Sequence, residues 1–200
     1  MKIPLSFVLA ATLLLAWIFI THQLSQPIWA TERGRDLMSF GAAKGSGFQP
    51  TDWWRIFTCQ WLHMKLPHLV LNAVFIVLLG ASVEKIAGKL VTLVTYVVSG
   101  TAGVVAEMLL SPTLVVSGAS QAMLGLTAFV LIAVAKSHRA NKGFDLSIAM
   151  LAIVCSITLD LCYGGSLKIG HVVGFLFGAA FGLIHHATSK SATHAPTSIE

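Results

Sequence analysis

The chain has 200 residues, of which 56% are hydrophobic and 10% charged, and its mean hydropathy is +0.80. A soluble domain carries about 25% charged residues to dress its surface, so this composition excludes a soluble enzyme, a disordered chain and a fibrous protein. The formal charge of +5, from 13 basic and 8 acidic residues, is modest for a nucleic-acid binder. It is the ordinary Lys and Arg surplus of cytoplasmic loops in a membrane protein, so the expected partner is a lipid bilayer and not nucleic acid.

A spanning helix needs about 20 mostly apolar residues, and six windows qualify, at roughly 3–20, 66–83, 90–110, 114–135, 146–163 and 167–184. The first follows a short basic start. Its apolar run exceeds the roughly 7–15 residues of a signal-peptide core and no small-residue cleavage pattern follows, so it reads as a retained helix. Residues 23–65 come next, a connection far longer than usual. They mix Trp29, Phe40, Phe48, Trp53, Trp54 and Trp61 with charges and glycines, which suits a segment lying in the membrane interface. The expected architecture is an all-α polytopic membrane protein with six transmembrane helices and a long interfacial first loop. Residues 1–187 form the membrane domain and 188–200 a short, disordered cytoplasmic tail.

Lys and Arg in the short connections set the orientation. Lys85 and Lys89 follow the second window, Lys136, Arg139 and Lys142 the fourth, and Lys190 the sixth, while Lys2 precedes the first. The turn Ser111-Pro112-Thr113 carries no charge, and the last hairpin holds only Lys168. Both termini are therefore expected in the cytoplasm. Compact size and short loops suggest a bacterial inner membrane.

Polar groups inside spans are costly and by default mark function. Here they are His68 and Asn72, Ser120 and Gln121, Asp160 and His171, with Glu107 near the end of its span. The second, fourth and sixth windows run in the same direction, so His68, Asn72, Ser120 and His171 fall within roughly 3–9 Å of one boundary at about 1.5 Å per residue. His68 and Asn72 are four apart and share a helix face. Gly170, Gly174, Gly178 and Gly182 recur every four residues, and Gly118, Ala122 and Gly125 surround Ser120. Such stripes let helix backbones approach closely, close enough to bring Ser120 Oγ within reach of His171. Taken singly, each residue also has a plain structural reading. A membrane serine often bonds its own backbone, a glycine stripe often only packs, and Asp160 reads as a buried anchor or hairpin cap. Cys59, Cys155 and Cys162 show no CxxC or Cys/His spacing, so no metal or cofactor is expected.

Four blocks together resemble the rhomboid family of intramembrane serine proteases, in the family's order and over nearly the whole chain. WWRIFTCQWLHMKLPHLVLN resembles its WR followed by a histidine-rich run ending in HxxxN, and LLGASVEKIAG its GxxxE segment. SGASQAMLG resembles GxSG, and GHVVGFLFG resembles AHxxGxxxG. The resemblance implies a six-helix bundle around a water-filled cavity open to the periplasm or cell exterior. Ser120 would be the nucleophile and His171 the general base of a Ser/His dyad. His68 and Asn72 would be oxyanion donors with the Ser120 N–H. Trp54, Arg55, Glu84, Gly118, Gly174 and Gly178 would support the structure. Two positions depart from the pattern: Gln121 replaces the glycine after the serine, and Leu124 stands where many members place an aromatic that stacks on the histidine.

The activity so implied is endoproteolysis of other proteins' transmembrane helices near the extracytoplasmic face. The hairpin 163–168, with Gly164 and Gly165, would be a mobile cap. The alternative is an inactive rhomboid-like protein that binds such helices without cutting them. No HExxH is present for a metalloprotease, and Asp160 is the one membrane aspartate where an aspartyl protease needs two. Oligomeric state and substrate identity are not legible.

Overall fold

The computed structural model describes residues 3–136, 142–164 and 166–193. Lys2, Arg139, Gly165 and residues 194–200 of the expected tail lie outside them. The described chain is mostly helical: α1 (Leu5–Gln23), α2 (Gly34–Met38), α3 (Arg55–Thr58), α4 (Leu66–Leu110), α5 (Ser120–Lys136), α6 (Lys142–Gly164) and α7 (Ile169–Thr193). Two short strands, β1 (Ala43–Lys44) and β2 (Val115–Val116), pair antiparallel with Ala43 opposite Val116. By length and composition α1, α4, α6 and α7 are each able to cross a membrane, and α5 is a shorter apolar helix.

At 45 residues α4 would run about 67 Å if straight, more than twice the roughly 30 Å of a bilayer core. It is broken at Gly88, whose φ of 83° and ψ of 169° interrupt the helix in a backbone region that only glycine adopts cheaply. The break falls between the second and third apolar windows. The start of α5 differs from its window. The apolar run from Leu114 looks continuous with the helix, yet Val115 and Val116 pair as β2 and Gly118 takes a φ of 117°. Helical geometry therefore begins only at Ser120. At the other end of the chain, residues 188–193 of the expected tail continue α7.

Helix α5 is the centre of the bundle, buried at every position from Ser120 to Val130 and packed against α4, α6 and α7. Its contact with α7 is made backbone to backbone. A Cβ on Gly174 would run into the Gln121 carbonyl, and one on Gly178 into the Gly125 carbonyl. The four-residue stripe thus acts as small-residue packing requires.

Outlying elements are tied on by polar contacts. Helix α1 has no side-chain cap of its own; instead the Glu84 carboxylate accepts from the Leu5 N–H at 3.0 Å and the Ser6 N–H at 2.7 Å. A carboxylate there satisfies two orphan donors and complements the helix dipole. The connection 24–65 is folded. Arg55 donates to the Met38 and Ala42 carbonyls at 2.6 and 3.2 Å, pairs with Asp52 at 3.0 Å, and lies 4.6 Å over the Trp54 ring. Trp61 Nε1 donates to Thr12 Oγ1 at 2.9 Å, joining this connection to α1.

Gly178→Ala is expected to lower the thermal midpoint of the purified protein in detergent, by overpacking of about 1–3 kcal/mol. Gly143→Ala, where a Cβ meets nothing within 4 Å, should leave it unchanged or raise it slightly. Equal midpoints for the two variants would contradict backbone contact between α5 and α7.

Candidate active site

Ser120 is the first residue of α5, and His171 lies in the first turn of α7. His68 and Asn72 occupy the first two turns of α4. These residues meet because α4, α5 and α7 all begin at this cavity, with their dipole-positive ends converging. Ser120 Oγ and His171 Nε2 are 2.6 Å apart, and both side chains are buried. The backbone N–H of Ser120, at the helix start, has no carbonyl four residues back inside α5 to accept it.

His68, Asn72, Ser120 and His171 line one narrow cavity with Phe75, Met123 and Cys155, about 10 Å³ in volume. A larger vestibule of about 430 Å³ shares His68 and Leu159 with it and is also lined by Lys65, Glu107, Asp160, Tyr163 and Lys168. Gly118 is required here twice over: its φ is 117°, and a Cβ would come within 3.1 Å of His68 Cε1. At the vestibule wall the Lys65 ammonium sits 3.3 Å from the centre of the Tyr163 ring, linking the start of α4 to the end of α6.

Asp160, in the last turns of α6, has two partners at one oxygen. Its Oδ2 lies 2.7 Å from His171 Nδ1 and accepts the Lys168 N–H at 3.2 Å, while Oδ1 is 3.7 Å from Lys168 Nζ. The hairpin-cap reading of Asp160 is thus half of the story, since the same carboxylate also touches the histidine. Glu107, in the same vestibule wall, has a different partner: its Oε2 accepts the Gly170 N–H at 2.8 Å, capping the start of α7. Gln121 does not line the narrow cavity. It points to the α4–α5 contact, where a Cβ on Gly103 would meet its Cβ and Cγ at 2.7 Å. Leu124 lines an apolar cleft of about 260 Å³ with Asp160, Lys168 and His171.

One residue at the site was not singled out by its sequence position. His63, just before α4, is buried, and its Nε2 lies 3.0 Å from Asn72 Nδ2 and 3.5 Å from the Ala119 N–H. Its ring stands edge-on to His68 at 5.3 Å. His63 thus holds Asn72 in place and reaches the residue before Ser120. The signal available was its position nine residues before Asn72 within the histidine-rich run, but the turn at 62–65 hides which way the ring faces. Burial pushes the His63 imidazole down to about 4, so it is neutral at pH 7 and accepts at Nε2. Among the described residues no group of three His, Cys, Asp or Glu side chains is arranged to hold a metal ion.

The Rhomboid domain family model matches residues 50–188. The chain is 34% identical over 152 residues to Rhomboid-like protease 3 of Toxoplasma gondii, covering 73% of this chain and 57% of that protein. It is 32% identical over 151 residues to Rhomboid protease GluP of Bacillus subtilis, covering 72% of this chain and 29% of the relative. RHOMBOID-like protein 7 of Arabidopsis thaliana is 30% identical over 135 residues, or 66% of this chain and 42% of the relative. The chain therefore spans between 29% and 57% of the length of these relatives.

Because the folded pKa of His63 lies below the ordinary value of about 6.5, the unfolded chain takes up the proton first as pH falls. Its contribution is full above pH 6.5 and is lost between about 6.5 and 4, by about 3 kcal/mol in all. Thermal midpoints measured across that window should fall, and should fall less steeply in His63→Gln. An identical slope in the variant would contradict the assignment.

Proposed function

The chain belongs to the rhomboid family, and on that premise we propose that it is an intramembrane serine endopeptidase acting through Ser120 and His171. The observation that carries the reading is the 2.6 Å contact between Ser120 Oγ and His171 Nε2, buried at the level where α4, α5 and α7 begin. A serine hydroxyl is a weak nucleophile until a base takes its proton. His171 Nε2 accepts that proton as Oγ bonds the scissile carbonyl carbon, and the carbonyl electron pair moves onto oxygen. The proton then passes from Nε2 to the departing amide nitrogen as the C–N bond breaks. Water, deprotonated by the same nitrogen, releases the acyl group and restores Ser120. The oxyanion meets the Ser120 N–H with the side chains of His68 and Asn72, and His63 keeps Asn72 aimed.

The substrate is a transmembrane helix of another membrane protein. Such a helix must unwind locally, because its carbonyls are occupied by its own hydrogen bonds. A cavity of about 10 Å³ has room for about one water and none for a peptide carbonyl, so its walls must part for a substrate to reach Ser120. Counting the two halves of α4 as separate spans gives six. Lys85, Lys89, Lys136 and Lys142 then lie at the end opposite Ser120, which supports cytoplasmic termini and a site near the extracytoplasmic face. The setting is a bacterial inner membrane, with the first loop lying in its outer interface.

Ser120→Ala and His171→Ala should each abolish cleavage of a transmembrane substrate in proteoliposomes while leaving circular dichroism and the thermal midpoint unchanged. Asn72→Ala should lower kcat by about 10²–10³-fold. Cleavage retained by purified Ser120→Ala contradicts the proposal. Helix binding without cleavage by the wild-type protein would support the non-cleaving alternative.

A further inference from the structure

The proposal of a two-residue mechanism leaves one buried charge beside the site without a task. Asp160 sits on a different helix from both Ser120 and His171, and its carboxylate is buried. Such a charge is costly unless paired. Its Oδ1 faces the Lys168 ammonium at 3.7 Å, and its Oδ2 accepts the Lys168 N–H at 3.2 Å. Both contacts suit an ionised carboxylate. Oδ2 then lies 2.7 Å from His171 Nδ1. Two lone pairs do not approach so closely without a proton between them, and a carboxylate accepts only. Nδ1 therefore carries the hydrogen, and Nε2 presents its lone pair to the Ser120 hydroxyl.

From this geometry we infer that Asp160 is a positioning residue for His171: it fixes the tautomer in which Nε2 is the base and stabilises the imidazolium formed when the Ser120 proton arrives. The inference rests on the protease reading for its catalytic meaning, whereas the tautomer itself does not. No proton moves to Asp160. The hydrogen stays on Nδ1 throughout, and the carboxylate offsets the charge that appears on the ring. The same carboxylate, by accepting the Lys168 N–H, ties the end of α6 to the start of α7. Among the described residues His171 takes part in no ring–ring pair; Leu124 and Phe175 line a cleft with it. The Asp160 contact is thus the polar restraint that keeps the ring turned toward Ser120.

A carboxylate in this role is worth far more to turnover than to binding. In a serine protease with a well-characterised triad, changing the aspartate to asparagine leaves the geometry and lowers kcat by about 10⁴-fold through the wrong tautomer. Asp160→Asn should lower kcat by roughly 10²–10⁴-fold with KM nearly unchanged. A hairpin cap alone would act through the thermal midpoint and KM. The second measurement needs no variant at position 160. In ¹⁵N-histidine-labelled wild-type protein in detergent at pH 8, the His171 ring, identified by its loss in His171→Ala, should show Nδ1 protonated and Nε2 bare. Nε2–H as the main tautomer overturns the inference, and so does wild-type kcat in Asp160→Asn. If Asp160→Asn does not fold, the wild-type tautomer decides. If the wild-type protein cleaves nothing yet shows Nδ1–H, the protease reading fails while the Asp160–His171 contact stands.

Discussion

The site depends on how closely α5 approaches α7. Ser120 and His171 come from different helices 51 residues apart in sequence, and a hydrogen bond of 2.6 Å leaves little slack between them. That spacing is set one and two turns deeper, where Gly174 and Gly178 leave no side chain between α7 and the Gln121 and Gly125 carbonyls. A methyl group at either position would push the helices apart through backbone that cannot yield. The hydrophobic effect contributes little to helix association within lipid, since acyl chains are as apolar as leucine. Close backbone packing therefore has to do the holding, and the glycine stripe permits it.

The polar side chains at the site pair with one another in two short series. Lys168 meets Asp160, Asp160 meets His171, and His171 meets Ser120; alongside, His63 meets Asn72. Each link satisfies a group that would be costly alone in a low-dielectric interior. The two series converge on the narrow cavity from different elements, α6 and α7 on one side and α4 with its preceding turn on the other. A vestibule lined by Lys65, Lys168 and Glu107 adjoins it at His68.

What was legible in the residues is what repeats locally. The apolar windows mark the long helices, the four-residue glycine spacing marks a packing face, and His68 with Asn72 share a face because four residues make about one turn. The family resemblance assembled these into one site. Less legible was anything that depends on a turn. Ser120 looked several residues inside a helix, because Leu114, Val115 and Val116 are apolar, although they lie in a turn and a strand. Ser120 and His171 meet all the same, since both sit at helix starts. His63 and Asp160 reach the site from outside its helix faces, one across a turn and the other across the hairpin that sets it eleven positions before His171. Neither periodicity nor composition records where such side chains point.

In the proposed mechanism Ser120 is a nucleophile activated by His171. That activation can be measured without knowledge of the natural substrate. The purified protein in lipid vesicles is treated with a fluorophosphonate, and the labelled residue is identified by peptide mass spectrometry. One covalent adduct is expected, on Ser120, forming in the wild-type protein and lost in His171→Ala. Absence of label in the folded wild-type protein, or label on Ser120 that persists at the same rate without His171, would contradict that mechanism.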